Sequence, residues 1–203
     1  MAMFEWALPE SLARIARPGC AAGSSRDWYA AVVSSTNLPQ AALQAPFDEY
    51  RDVVRPEWID ENHHLNMGYY VVVFDFATDA WLDHIGLGGD HKLAQGVTTF
   101  TLEAHVNYLR ELREGDPLHF RTQLLAFDEK RIHYIHQMIH AEDGFVAATN
   151  ELMSLHVSRA TRRAAPMAAE ILARLEALQP LHAALPALSQ VGRRIGLDAK
   201  PRA

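Results

Sequence analysis

Residues 58–88 read WIDENHHLNMGYYVVVFDFATDAWLDHIGLG, and this stretch decides the fold. Met67, Tyr70, Val71, Phe74, Thr78, Trp81, Leu82 and Ile85 recur at steps of three and four. That is the period of a helix with one buried face. The β-branched run at 71–73 taken alone favours a strand. The periodic stretch is about 19 residues long, however, against about five or six for an ordinary strand. The spacing therefore predicts one long helix over 67–85. Asn66 stands where an N-cap is needed, and Gly86, Gly88 and Gly89 end the helix.

Downstream the period changes to two. Phe100, Leu102, Ala104, Val106 and Tyr108 alternate with Thr99, Thr101, Glu103, His105 and Asn107. This is a strand with one buried face. Further strands are expected at 118–126, 132–141 and 145–157, separated by turns at REGD, DEKR and EDG. Upstream, 47–54 reads as a weaker strand. One strand, one long helix and four strands make an α+β domain of about five antiparallel strands curled around the helix. This domain is expected over 46–160. Pro166 opens a further helix to Leu178, so 161–203 should pack on the domain as a helix and tail. Residues 1–45 are rich in Ala, Ser, Gly and Pro and read as an extension, with a short helix at 11–16.

The chain has 203 residues, 49% of them hydrophobic and 22% charged, with a net charge of -6. Without a basic run, nucleic acid is not an expected partner. Cys20 is alone and cannot form an internal disulfide. No signal peptide or membrane-spanning run is legible, so a cytoplasmic location and no membrane contact are expected.

Asp60, Asn62, His63, His64 and Asn66 crowd the entry to the long helix. A helix start offers unpaired N–H groups and partial positive charge. Such a place can hold an oxyanion, and a nearby carboxylate can attack a carbonyl or deprotonate water. The competing reading is structural: Asx residues before a helix commonly cap it.

The quoted stretch resembles the signature of hotdog-fold acyl-CoA thioesterases, the 4-hydroxybenzoyl-CoA thioesterase-like superfamily. Asp60, His64, Asn66 and Tyr70 stand in the motif positions, and His63 replaces a usual glycine. YLRELREGDPLHFRTQLLAFDEKRIHYIH at 108–136, ATNELMSLHV at 148–157 and VGRRIGL at 191–197 are similar to betainyl-CoA thioesterases and to the thioesterase domain of carnitine dehydrogenases. The resemblance implies hydrolysis of a short acyl-CoA, betainyl-CoA among the candidates, by a homodimer with sheets joined edge to edge. Asp60 would be base or nucleophile, the Met67 backbone N–H would polarise the carbonyl, and His64 and Asn66 would orient water or support the carbonyl. It implies no cofactor; CoA is part of the substrate.

Other residues are candidate substrate contacts. Asn62 and Tyr70 flank the motif. Asn107 falls on the polar face of its strand, whereas Tyr108 on the apolar face reads as core. Lys130 and Arg131 could meet CoA phosphates. Trp58 is the loop aromatic placed to face a quaternary ammonium. His133, His136 and His140 do not converge as metal ligands, because strand alternation leaves only two on one face. An alternative role is a non-catalytic acyl-CoA-binding module on the same fold.

Overall fold

The computed structural model describes residues 43–197. The extension before residue 43, with the helix expected at 11–16, lies outside the described residues. The long helix forms as read: α1 spans Met67–His84. Asn66 Oδ1 accepts the Gly68 N–H at 2.9 Å, and Gly86, at a φ of 88°, takes the chain out of the helix. Val73, Phe74, Ala77, Trp81 and Leu82 form the buried stripe.

The strands are β1 (Arg51–Val53), β2 (Val97–Tyr108), β3 (Pro117–Phe127), β4 (Arg131–His140), β5 (Val146–Ser158) and β6 (Arg163–Ala164). The sheet order is β1-β3-β4-β5-β2, every pairing is antiparallel, and β6 pairs with β5. This curled antiparallel sheet against one long helix is the hotdog arrangement. β1 is shorter than the strand expected over 47–54. Phe47 bridges Thr122 while Arg51 pairs with His119, so four residues on one side span three on the other. The extra residue breaks the ladder as a bulge does.

Among the described residues, three elements had no signal in the periodicity: a 3-10 turn at Pro56–Trp58, the short helix α2 (Gly89–Ala94) and β6. The last helix, α3, spans Ala169–Ala183 rather than 166–178, and carries Pro180 inside it. Proline in a helix interior costs about 3 kcal/mol. The final turn survives because His182 is buried against Trp81 and docks on β3. Its Nδ1 accepts the Leu124 N–H at 3.0 Å, and Gln179 Nε2 donates to Leu125 O at 3.1 Å. These side chains satisfy the β3 edge that β1 leaves open. The opposite edge, β2, is hydrogen-bonded to β5 alone among the described strands and exposes Phe100 and Leu102.

A polar row crosses the helix side of the sheet. His136 is fully buried, with Nδ1 2.8 Å from Thr122 Oγ1 and Nε2 3.0 Å from Thr78 Oγ1. Thr78 donates its own proton to Phe74 O. His136 Nε2 is therefore the donor to Thr78, and Thr122 donates to Nδ1, so a neutral imidazole satisfies both bonds. Among the described residues no helix is long and apolar enough to cross a membrane.

Candidate active site

Asp60 sits on a small hairpin. Ile59 and Leu65 form an antiparallel bridge, and the Asp60 N–H donates to His64 O at 3.0 Å. The His63 N–H donates back to Asp60 O at 3.0 Å. Residues 61–63 close the loop, and His63 has a φ of 62°. A three-residue hairpin commonly ends in a left-handed residue, most often glycine. His63 thus occupies the position where glycine would be unstrained.

The hairpin is bolted to the body of the domain. The Leu65 N–H donates to Leu112 O at 2.8 Å, and the Asn66 N–H to Trp58 O at 2.9 Å. Asp60 is half-buried, and its Oδ1 accepts the Asn62 N–H at 2.8 Å. The other oxygen, Oδ2, has no hydrogen-bond partner among the described residues. Asn62 contributes its backbone here, while its side chain lies in an exposed turn.

At the helix start, Asn66 takes two orphan donors. Its Oδ1 accepts the Gly68 N–H and its carbonyl accepts the Tyr69 N–H at 2.9 Å. The Met67 N–H is left over, with no acceptor among the described residues. The capping and oxyanion readings of this stretch are therefore compatible: the cap consumes some N–H groups and spares the one nearest the loop.

The end of β2 and the loop after it clamp this start. Tyr108 Oη donates to Met67 O at 3.2 Å, and Tyr70 Oη donates to Arg110 O at 3.4 Å. The two rings meet edge to face at 5.2 Å. Burial pushes the Tyr70 phenol up to about 12, so it serves as a neutral donor. His64 Nε2 lies 3.0 Å from Glu111 Oε2, and Arg113 donates to Glu111 Oε1 at 3.1 Å. Glu111 and Tyr108 were not legible as site residues. The strand period stops at Tyr108, and the loop beyond it has no period to read.

Within one chain, several of the expected contacts are buried, face the other side of the sheet or lie away from the hairpin. Trp58 is buried rather than free in the loop: the Arg55 guanidinium lies 4.6 Å from its ring centroid, and Tyr69 stacks on it at 5.9 Å. Tyr108 is not core; it lies on the helix side, but where the strand runs out, and stays 45% exposed. Asn107, the residue before it, faces the other side of the sheet. Lys130 and Arg131 lie at the far end of β3 from the hairpin, roughly 35 Å along an extended strand of that length. Lys130 pairs there with Glu129 and Arg131 with Asp128. His136 and His140 share a face as expected, and each is committed to hydrogen bonds.

Residues 54–175 match the family model of the thioesterase-like superfamily. The chain is 47% identical over 148 residues to a betainyl-CoA thioesterase of Pseudomonas aeruginosa, covering 73% of this chain and 93% of that one. It is 36% identical to an L-carnitine dehydrogenase/betainyl-CoA thioesterase of Rhizobium meliloti, over 70% of this chain but only 29% of that longer one. A Staphylococcus aureus protein solved in complex with CoA superposes with a TM-score of 0.70 at 27% identity, covering 75% of this chain and 95% of that one. This chain belongs to the thioesterase-like superfamily of hotdog fold, and it is an acyl-CoA thioesterase.

Proposed function

We propose that the chain hydrolyses betainyl-CoA to the free acid and CoA, with Asp60 as the reactive carboxylate. The observation that carries this reading is the pairing of a half-buried Asp60, one oxygen uncommitted, with the spare Met67 N–H of α1. The similar Pseudomonas protein supports the acyl group.

The thioester carbonyl oxygen would receive the Met67 N–H, which stabilises the charge that develops there. Asp60 either takes a proton from water, whose oxygen attacks the carbonyl carbon, or attacks that carbon itself and is released by water. Both routes break the C–S bond and add one water, giving a carboxylic acid and the CoA thiol. His64 supports the water. Asn66 acts by shaping the helix start. Tyr108, half-exposed beside Met67, offers an aromatic ring to the quaternary ammonium of a betainyl group.

A homodimer through β2 fits the open edge of that strand and its exposed Phe100 and Leu102. In an antiparallel β2–β2 pairing, the Val97 end of one strand lies beside the Tyr108 end of its partner. The His156 N–H donates to Lys130 O, and His156 pairs with Thr99, so Lys130 and Arg131 sit at the Val97 end. They would then approach the partner's hairpin, where CoA phosphates need cations.

Thiol release measured over betainyl-, acetyl-, butyryl- and benzoyl-CoA tests the reading. The expected result is a kcat/KM for betainyl-CoA at least about tenfold above the uncharged acyl groups, the worth of one well-made charge contact. Tight CoA binding with no release from any thioester would favour a binding module instead. Sedimentation of the purified chain tests the dimer.

A further inference from the structure

We infer that Glu111 is a positioning residue for His64, turning the imidazole so that Nδ1 faces the water on which Asp60 acts. The catalytic half of this inference rests on the reading of Asp60 above. Asp60 and His64 are opposed residues of one hairpin, joined by the Asp60 N–H···O=C His64 bond. Opposed residues project from the same face, so the imidazole and the carboxylate share one side of the loop. Glu111 Oε2 lies 3.0 Å from His64 Nε2. An ionised carboxylate only accepts, so the proton sits on Nε2 and a neutral ring keeps its lone pair on Nδ1. Nδ1 has no partner among the described residues.

The ring is about a third exposed, so packing alone does not hold it. The Glu111 bond does, and Glu111 is held in turn by Arg113 at 3.1 Å. The backbone on either side is pinned separately, by Leu65 N–H to Leu112 O and by Tyr70 Oη to Arg110 O. Removing the carboxylate therefore frees the imidazole while leaving the clamp intact. Exposed ion pairs contribute little to stability. Orientation is the effect this geometry can deliver.

Glu111→Gln keeps the size and removes the charge, and its amide can either accept from Nε2–H or donate to a bare Nε2, so it no longer fixes the tautomer. We expect kcat to fall about tenfold, less than the about 10⁴ of a buried triad carboxylate because this pair is exposed. KM should change less than about twofold, and the melting temperature should hold. In a His64→Ala background the same substitution should change kcat less than about twofold, because the two act as one unit. Equal losses in both backgrounds, or wild-type kcat in Glu111→Gln, would overturn the inference. A second readout needs no turnover: 15N–1H correlation of the His64 ring at about pH 8.5, where an ordinary imidazole is neutral. The wild type should show the Nε2–H tautomer, and Glu111→Gln a mixture. An Nδ1–H tautomer in the wild type, or an unchanged ratio in the variant, contradicts it. If the tautomer shifts as expected but no thioester is cleaved, the Glu111–His64 placement stands and the hydrolytic reading of Asp60 fails.

Discussion

Asp60 and His64 are locked opposite each other by a backbone bond of 3.0 Å, and the residue that lets the loop between them close, His63, sits at a φ of 62°. A left-handed conformation costs a non-glycine residue about 1–2 kcal/mol. Glycine removes that cost but adds roughly 0.5–1 kcal/mol of chain entropy. His63→Gly should therefore melt at the same temperature or slightly higher, with activity kept. His63→Val, β-branched and unsuited to this region, should lose about 2 kcal/mol in urea unfolding and most of its turnover. A stable, fully active valine variant would show that the hairpin geometry is not needed.

Asp60→Asn preserves the bond from the Asn62 N–H to Oδ1, because an amide oxygen also accepts. The loop should keep its shape while the base or nucleophile is lost. Turnover should drop by about 10²–10⁴, the usual worth of a positioned acid or base. Circular dichroism alongside thiol release checks that folding is intact. Wild-type rates in this variant would remove Asp60 from the mechanism.

His182 closes the β3 edge by accepting the Leu124 N–H, and it also contacts Trp81 at 5.8 Å. His182→Ala leaves a buried N–H without an acceptor and opens a gap beside the tryptophan. The expected loss is about 2–3 kcal/mol, read as a lower urea midpoint. Aggregation during refolding should rise as well, since the uncovered edge can pair with another chain. A midpoint unchanged from wild type would show that α3 does not protect this edge.

Of the four described histidines held below their ordinary value, His136 and His84 are shifted furthest and dominate the response to acid. Burial holds His136 down to about 3, and burial, followed by Arg174 and His182, holds His84 down to about 4. Unfolded, each titrates near its ordinary value of about 6.5. Below that pH the unfolded chain binds protons that the folded chain refuses. Stability is full above about pH 6.5 and falls as the pH drops toward 4, with His136 still contributing down to about 3. Each group contributes at most about 1.4 kcal/mol per pH unit. Urea midpoints at pH 7, 6 and 5 should decrease in order. His136→Gln should flatten the slope and also lower the plateau, since Thr122 and Thr78 lose a matched partner. A flat profile in the wild type would contradict the assignment.

Periodicity alone determined α1 to within a residue, and strand alternation located β2 through β5. Both are signals in which every turn or every second residue repeats the same choice between core and water, so no long-range contact is needed to read them. The crowding of Asp60, Asn62, His63, His64 and Asn66 at a helix start is also a local arrangement and marked the stretch as a candidate site, while the family resemblance supplied the Met67 N–H and the roles proposed for His64 and Asn66. Tertiary structure decided the rest. β1 is short because a bulge against β3 breaks its ladder, and α3 runs through Pro180 because His182 finds its partner on β3, some 58 residues away in sequence. Trp58 turned inward to Arg55 and Tyr69, Tyr108 turned out to hold Met67, and Glu111 reached His64 from a loop without a pattern. Except for Trp58, whose partners Arg55 and Tyr69 are near in sequence, each of these depends on a partner distant along the chain, and side chains without a period carry no record of which partner they will meet.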